Sequence, residues 1–333
     1  MAKNFYKFSS VILLMALVFS ICVSALPKNE EYIAVEKEDY IKWVDFNVTY
    51  KALTECLDYD IKTYKTEKHA SWIDLIAILA SKGSGNFKSY KSSDLLKITE
   101  QINEGKTVEE IAKNLKTYPY YKEAYTGVLG GFVGEHEIEK EDGTFEKKYG
   151  LKAFSPIARG YSYSHFDDFG ASRSYGFRRK HLGHDMMGSI GTPVVAVESG
   201  YVECVGWNQY GGWRIGIRSF DKKRYYYYAH LRKDHPYNDM YEGKIVTAGD
   251  VIGYLGMTGY STKENVNNIN TPHLHWGMQL IFDESQKDAV SEIWIDLYAI
   301  TRLLERNRSQ VFRNDEEKEY YRKYRMFEPG LDA

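Results

Sequence analysis

Cysteine is scarce in this chain: there are three in 333 residues, and one of them, Cys22, lies in an N-terminal apolar run. Cys56 and Cys204 remain, in regions that read as separate domains, so two buried thiols are expected. Phe19-Ser20-Ile21 ahead of Cys22 are bulky where a lipoprotein signal has small residues, which argues against a lipid anchor. A basic excess is also missing. With 44 basic and 46 acidic residues the formal net charge is -2, so nothing is available to hold a phosphate backbone and nucleic acid is excluded as a partner. Mean hydropathy is -0.49, which excludes a polytopic membrane protein. Internal repeats and low-complexity linkers are absent.

What is present is enough for a large core. Hydrophobic residues make up 43% of the chain and charged residues 27%, which excludes wholesale disorder. The length fits two ordinary domains, or one domain with a large extension. Tyrosine is the compositional oddity, with 29 Tyr against 15 Phe, and rings with a polar tip suit wet β surfaces and peptide- or carbohydrate-lined grooves.

Lys3 and Lys7 precede an apolar run from Val11 to Val23, and Val23-Ser24-Ala25 offers the small residues that a signal peptidase reads. Thirteen residues are short for a membrane span, which needs about 20. Residues 1–25 therefore read as a signal peptide, with an uncleaved membrane anchor as the alternative, and either way the rest of the chain is exported. Cleavage removes two lysines and no acid, taking the net charge from -2 to -4.

Residues 29–130 read as a helical domain. Ser71-Trp72-Ile73-Asp74 and Thr107 with Glu110 have capping-box spacing, and Gly83 and Gly105 stop two of the segments. Val48, Ala52, Leu53, Cys56 and Leu57 form a further helical stripe, while His69 and the acids of this region read as a solvated surface. From about Gly127 the texture changes. A hairpin signal at Glu141-Asp142-Gly143-Thr144 is followed by short β-type runs divided by glycines up to about residue 300. The charged tail, 305–333, reads as helix-prone.

Seven of the nine histidines fall between His165 and His275. His273 and His275 are two apart, so on a strand both imidazoles project from one face. His181-Leu182-Gly183-His184-Asp185 supplies a second cluster, which its glycines mark as a loop entering a strand. Two imidazoles, a carboxylate and an open fourth position suit catalytic zinc, which lowers the pKa of water and polarises a carbonyl. Each cluster alone also fits surface histidines on polar loops.

Between the clusters, Gly191-Thr192-Pro193-Val194, Gly200-Tyr201-Val202, Tyr228-Ala229-His230-Leu231, Gly249-Asp250-Val251-Ile252-Gly253, Gly256-Met257-Thr258-Gly259 and Pro272-His273-Leu274-His275 follow in order. This stretch resembles the lysostaphin-type (LytM-domain) zinc metallopeptidases, which cut peptides in bacterial peptidoglycan, over roughly residues 165–300. The resemblance implies an α+β multidomain chain, with the small helical domain followed by an all-β antiparallel LytM-type peptidase domain over residues 131–304. It implies zinc ligands at His181, Asp185 and His275, and a non-ligand catalytic pair at His230 and His273. No glutamate sits beside the histidine pairs, so imidazoles have to supply the base and the oxyanion donor.

His184 occupies a variable position of the motif and is the alternative if the register is wrong. His136, His165 and His235 read as surface residues, and Asp167-Asp168-Phe169-Gly170 with Arg173 as structural or groove-lining. Two departures from the family pattern stand out: an apparent insertion from Lys263 to Asn270, expected to border the cleft, and Gly277 where an acid usually follows the aromatic, here Trp276. The expected function is an exported zinc endopeptidase acting on peptidoglycan stem peptides or cross-bridges. The alternative is a LytM-type envelope scaffold that binds or activates cell-wall partners without cleaving. The role of the helical region stays open between these, and contact with a membrane is expected only through an uncleaved N-terminal anchor.

Overall fold

The computed structural model describes residues 40–175 and 177–329. The signal-peptide reading of residues 1–25 lies outside them. Among the described residues no helix is long and apolar enough to cross a membrane.

Among the described residues five helices come first: α1 (Tyr50–Thr63), α2 (Trp72–Gly83), α3 (Ser92–Asn103), α4 (Val108–Ala112) and α5 (Tyr118–Leu129). Local chemistry accounts for their starts. The Ser71 hydroxyl accepts from Ile73 N, and Thr107 and Glu110 satisfy each other's backbone amides in a capping box. α3 begins at Ser92, where the Asp94 carboxylate accepts from Lys91 N at 3.0 Å.

The strands are β1 (Val133–Glu139), β2 (Phe145–Leu151), β3 (Tyr163–Phe166), β4 (Ser172–Tyr175), β5 (Phe177–Lys180), β6 (His184–Gly188), β7 (Pro193–Val195), β8 (Gly200–Asn208) and β9 (Gly212–Ser219). They continue with β10 (Arg224–Ala229), β11 (Ile245–Val246), β12 (Val251–Tyr254), β13 (His273–Leu280) and β14 (Ile293–Trp294). A short helix, α6 (Tyr298–Leu304), precedes β15 (Val311–Asn314), β16 (Glu319–Arg322) and β17 (Met326–Phe327). The main sheet is antiparallel in the order β11-β8-β9-β10-β13-β6-β3, with β14 also paired to β13. β4 and β5 form a separate hairpin, and β17 joins the β1–β2 hairpin at its β1 edge.

The tail corrects the expectation of a charged helix over 305–333. Val311-Phe312 and Tyr320-Tyr321 supply strand-forming residues on either side of a turn, where the Asn314 side chain accepts from Glu316 N and Lys318 has φ 61°. Charge alone had masked that β pattern.

The described residues from Ile41 onward form one compact unit, with a core that runs unbroken from Trp72 and Val128 to Ile217, Tyr226 and Leu280. The helices are thus packed on the sheet. Two buried polar clusters join them, one of which overturns the solvated reading of the helical acids. Asp60 of α1 is fully buried and accepts from Trp72 N (2.8 Å) and the Tyr149 hydroxyl of β2 (2.8 Å), with His69 Nε2 at 2.9 Å. Arg224 of β10 pairs with Glu198 through Nε (2.8 Å) and Nη2 (3.1 Å) and donates Nη1 to the Gly127 carbonyl of α5 (2.9 Å). Removing one partner of such a buried pair strands the other charge. Arg224→Ala is therefore expected to cost about 3–5 kcal/mol, read as a lower urea midpoint at unchanged slope.

Among the described residues Cys56 and Cys204 are free; Cys56 is buried as expected, whereas Cys204 is only half-buried beside the Tyr225 hydroxyl.

Candidate metal centre and its cleft

Strand pairing assembles the site. β13 lies between β6 and β10, with His275 opposite Asp185 on one side and Ala229 on the other. Alternation puts His273 and His275 on the cleft face, while Leu274 and Trp276 are fully buried in the core behind it. On β6 the same period sends Asp185 and Met187 into the cleft and Met186 into the core. β10 is the middle strand of the sheet order; Tyr226 and Tyr228 fill the core, and Tyr227 lines the cleft.

His181 precedes β6, its backbone N donating to the Ala171 carbonyl at 2.9 Å. Its Nε2 lies 3.0 Å from Asp185 Oδ1 and 2.9 Å from His275 Nδ1, and those two atoms are 2.9 Å apart. Three potential ligand atoms thus form a small triangle, open on the cleft side. Burial raises the Asp185 carboxyl, but the His181 and His275 imidazoles beside it outweigh that and hold the group below the usual carboxylate range. Burial pushes the His275 imidazole down.

Whether the residues fit a metal can be tested on His181. Its Nδ1 sits 2.8 Å from Asp168 Oδ1, an ion-pair contact whose angle falls short of a hydrogen bond. That carboxylate favours the proton on Nδ1, which leaves Nε2 a lone pair aimed at another acceptor, Asp185 Oδ1. Two acceptors 3.0 Å apart repel unless a cation lies between them, so the donor set fits a divalent ion of the zinc type. Asp168 was not singled out from Asp167 by sequence, since only the fold of the 167–171 loop shows which acid reaches His181.

Gly183 is needed for packing. A Cβ there would stand 2.5 Å from His275 Cε1 and 2.6 Å from its Nε2. Gly183→Ala is expected to displace that imidazole and lower metal affinity about 10–100-fold, as measured by competition with a chromophoric chelator.

His230 and His273 flank the triangle. Their rings lie 4.8 Å apart, and His230 is 5.9 Å from His275. His230 has φ 60°, an uncommon conformation for a non-glycine residue, held by its N–H to the Gly211 carbonyl (2.7 Å) and by Nδ1 against the Thr258 carbonyl (2.8 Å). His273 Nδ1 meets the Thr271 carbonyl at 2.8 Å, and its Nε2 lies 3.8 Å from Asp185 Oδ2. A carbonyl only accepts, so both rings carry a proton on Nδ1, and the neutral form of each then has its lone pair on Nε2. Burial holds His230 well below the usual imidazole range, which keeps it neutral.

The remaining histidines are elsewhere. His184 faces away from the cleft: its Nε2 is 2.9 Å from His165 Nδ1, and burial pushes it down to about 3. Half-buried His165 in turn reaches Glu305 at 2.9 Å. His235 is exposed and pairs with Glu319. His136 is not a surface residue as expected; it is buried, with Nδ1 3.1 Å from the Gly134 carbonyl. Ile269 and Asn270, from the inserted loop, line the cleft beside Thr271.

Residues 179–289 match the sequence profile of Peptidase family M23. The L-Ala–D-Glu endopeptidase of Bacillus subtilis (strain 168) is 34% identical over 199 residues, 59% of this chain and 57% of that one. Lysostaphin of Staphylococcus simulans is 42% identical over 97 residues, 29% of this chain and 17% of its own length. The chain thus spans little more than half of the Bacillus relative. A lytM crystal structure from Ruminococcus gnavus covers 80% of this chain and 91% of its own, with a TM-score of 0.54 at 23% identity, a likeness of fold.

Proposed function

We propose that this chain, whose residues 179–289 match the profile of Peptidase family M23, is a member of that family and an exported zinc endopeptidase hydrolysing peptide bonds of bacterial peptidoglycan. The observation that carries this reading is the triangle of His181, Asp185 and His275 at the base of a cleft that also receives His230 and His273. The charged start and apolar run of residues 11–23 support export.

His181, Asp185 and His275 would hold the zinc. When bound there, zinc polarises the scissile carbonyl and makes a neighbouring water more acidic. The residues divide the remaining work. Asp168 orients His181 from behind, and Arg173 Nη2, 3.2 Å from Asp185 Oδ2, occupies the oxygen of Asp185 that points away from the triangle. In the neutral imidazole, Nε2 is the free nitrogen of both His273 and His230. One accepts the proton of the attacking water, and once protonated it can donate to the developing oxyanion or to the leaving amine. The hydrogen bonds from their Nδ1 atoms to backbone carbonyls keep both rings in the tautomer this needs.

The substrate is a stem peptide or a cross-bridge; among relatives, one is named for an L-Ala–D-Glu bond and another, from Staphylococcus capitis, for a glycyl-glycine bond. A digest of purified peptidoglycan with mass analysis tests the reaction class. New free amines without new reducing ends are expected. Reducing ends without amines would point to a glycosidase, and no release by the zinc-loaded protein would favour the non-cleaving scaffold.

A further inference from the structure

We propose that Arg179 is a specificity-determining residue that reads a carboxylate on the substrate peptide, so that the cleft selects an acidic stem peptide over a neutral glycine bridge. This rests on the peptidase reading above.

The β4–β5 hairpin stands at the cleft wall and pairs Arg173 directly opposite Arg179. Directly opposed residues share a face, and like charges in that position repel unless each is neutralised. Arg173 is neutralised twice, by Asp168 Oδ2 at 2.5 Å and Asp185 Oδ2 at 3.2 Å. Arg179 is not: among the described residues no acid pairs with it, and its buried Nη1 has no hydrogen-bond partner.

The guanidinium is nevertheless held in place. It sits 5.0 Å from the ring centre of Tyr210 and 4.9 Å from that of Tyr260, a cation clamped between two aromatic faces. Its charge also acts on the hydroxyl of Tyr227, whose ring packs 5.9 Å from His275, so Arg179 belongs to the neighbourhood of the proposed ligands. An orientated, partly desolvated guanidinium without an anion is unfavourable by itself and favourable once a carboxylate binds it through two parallel hydrogen bonds.

The rest of the wall agrees in sign. Lys180 also lines the cleft, and among the described residues Asp185 is its one acidic lining residue, already committed to the triangle and to Arg173. A chain of glycines offers no anionic side group to this surface. A stem peptide whose acidic residue keeps a free carboxylate beside the scissile bond does.

Three synthetic peptides test this with the zinc-loaded full-length protein: an alanyl-D-glutamyl stem peptide, its carboxamide counterpart, and pentaglycine. The wild type is expected to show a kcat/KM about 10–100-fold higher for the acid than for the amide, the range of a charged hydrogen bond. Arg179→Gln is expected to abolish that ratio by raising KM for the acid alone, and Arg179→Lys to keep part of it. Because zinc could itself bind a carboxylate, peptide binding is also measured by calorimetry on metal-stripped protein, where the acid-over-amide preference should persist in the wild type and vanish in Arg179→Gln. An unchanged ratio in Arg179→Gln, or pentaglycine cleaved as fast as the acid peptide, would overturn the assignment while leaving the peptidase reading intact. Cleavage of none of the peptides and no release from whole wall would overturn the peptidase reading, and this one with it.

Discussion

Zinc binding is expected to fall by more than about a hundredfold in His181→Ala, Asp185→Ala and His275→Ala, beyond the 10–100-fold typical of residues that only support a ligand. Three protein ligands leave a catalytic zinc with one open position, so deleting any of them leaves a two-ligand site. The triangle has no substitute. His184, the nearest other imidazole in sequence, points to the opposite side of β6 and is taken up by His165. His184→Ala should therefore keep full zinc, read as metal content after gel filtration. Retention of zinc in His181→Ala together with its loss in His184→Ala would reverse the register.

Turnover is expected to fall by about 10²–10⁴-fold in His230→Ala and His273→Ala while zinc stays bound, the range for removal of a general acid or base. Neither ring is a corner of the triangle. The nearer approach, His273 Nε2 to Asp185 Oδ2, is 3.8 Å, and His230 is tied through Nδ1 to Thr258. kcat on a soluble stem peptide and zinc content of the same preparation check this together. Loss of zinc in either variant would make that histidine a ligand, and full activity in both would move the base elsewhere. His230→Ala carries a second effect, since an alanine must then take up the φ of 60° that His230 holds. A thermal melt of the metal-stripped variant separates that cost from the chemistry.

Much of the site was legible in the chain because its spacing is local. His273 and His275 stand two positions apart and so share one face of any strand, and the Ser71 and Thr107 caps act within one helical turn. Residues that work across the fold were not legible. Asp60 looked like a surface acid because its partners, Trp72 N and Tyr149, are 12 and 89 positions away. The tail was misread for a similar reason: its charges suit an exposed helix, whereas β17 exists because β1 offers an edge to Met326 and Phe327.

By itself the sequence determined the antiparallel β class of the second half, the helical class of the first, and which imidazoles and carboxylate lie near one another. The two classes follow from periodicity and glycine punctuation, and the grouping of imidazoles and carboxylate from the family resemblance that the ordered motifs carry. Only the tertiary structure decided that the helices share one core with the sheet, that Asp168 backs His181, and that Arg179 stands unpaired between Tyr210 and Tyr260. Those depend on which strand neighbours which, and strand order is set by the summed burial of the whole chain, which no short stretch of it encodes.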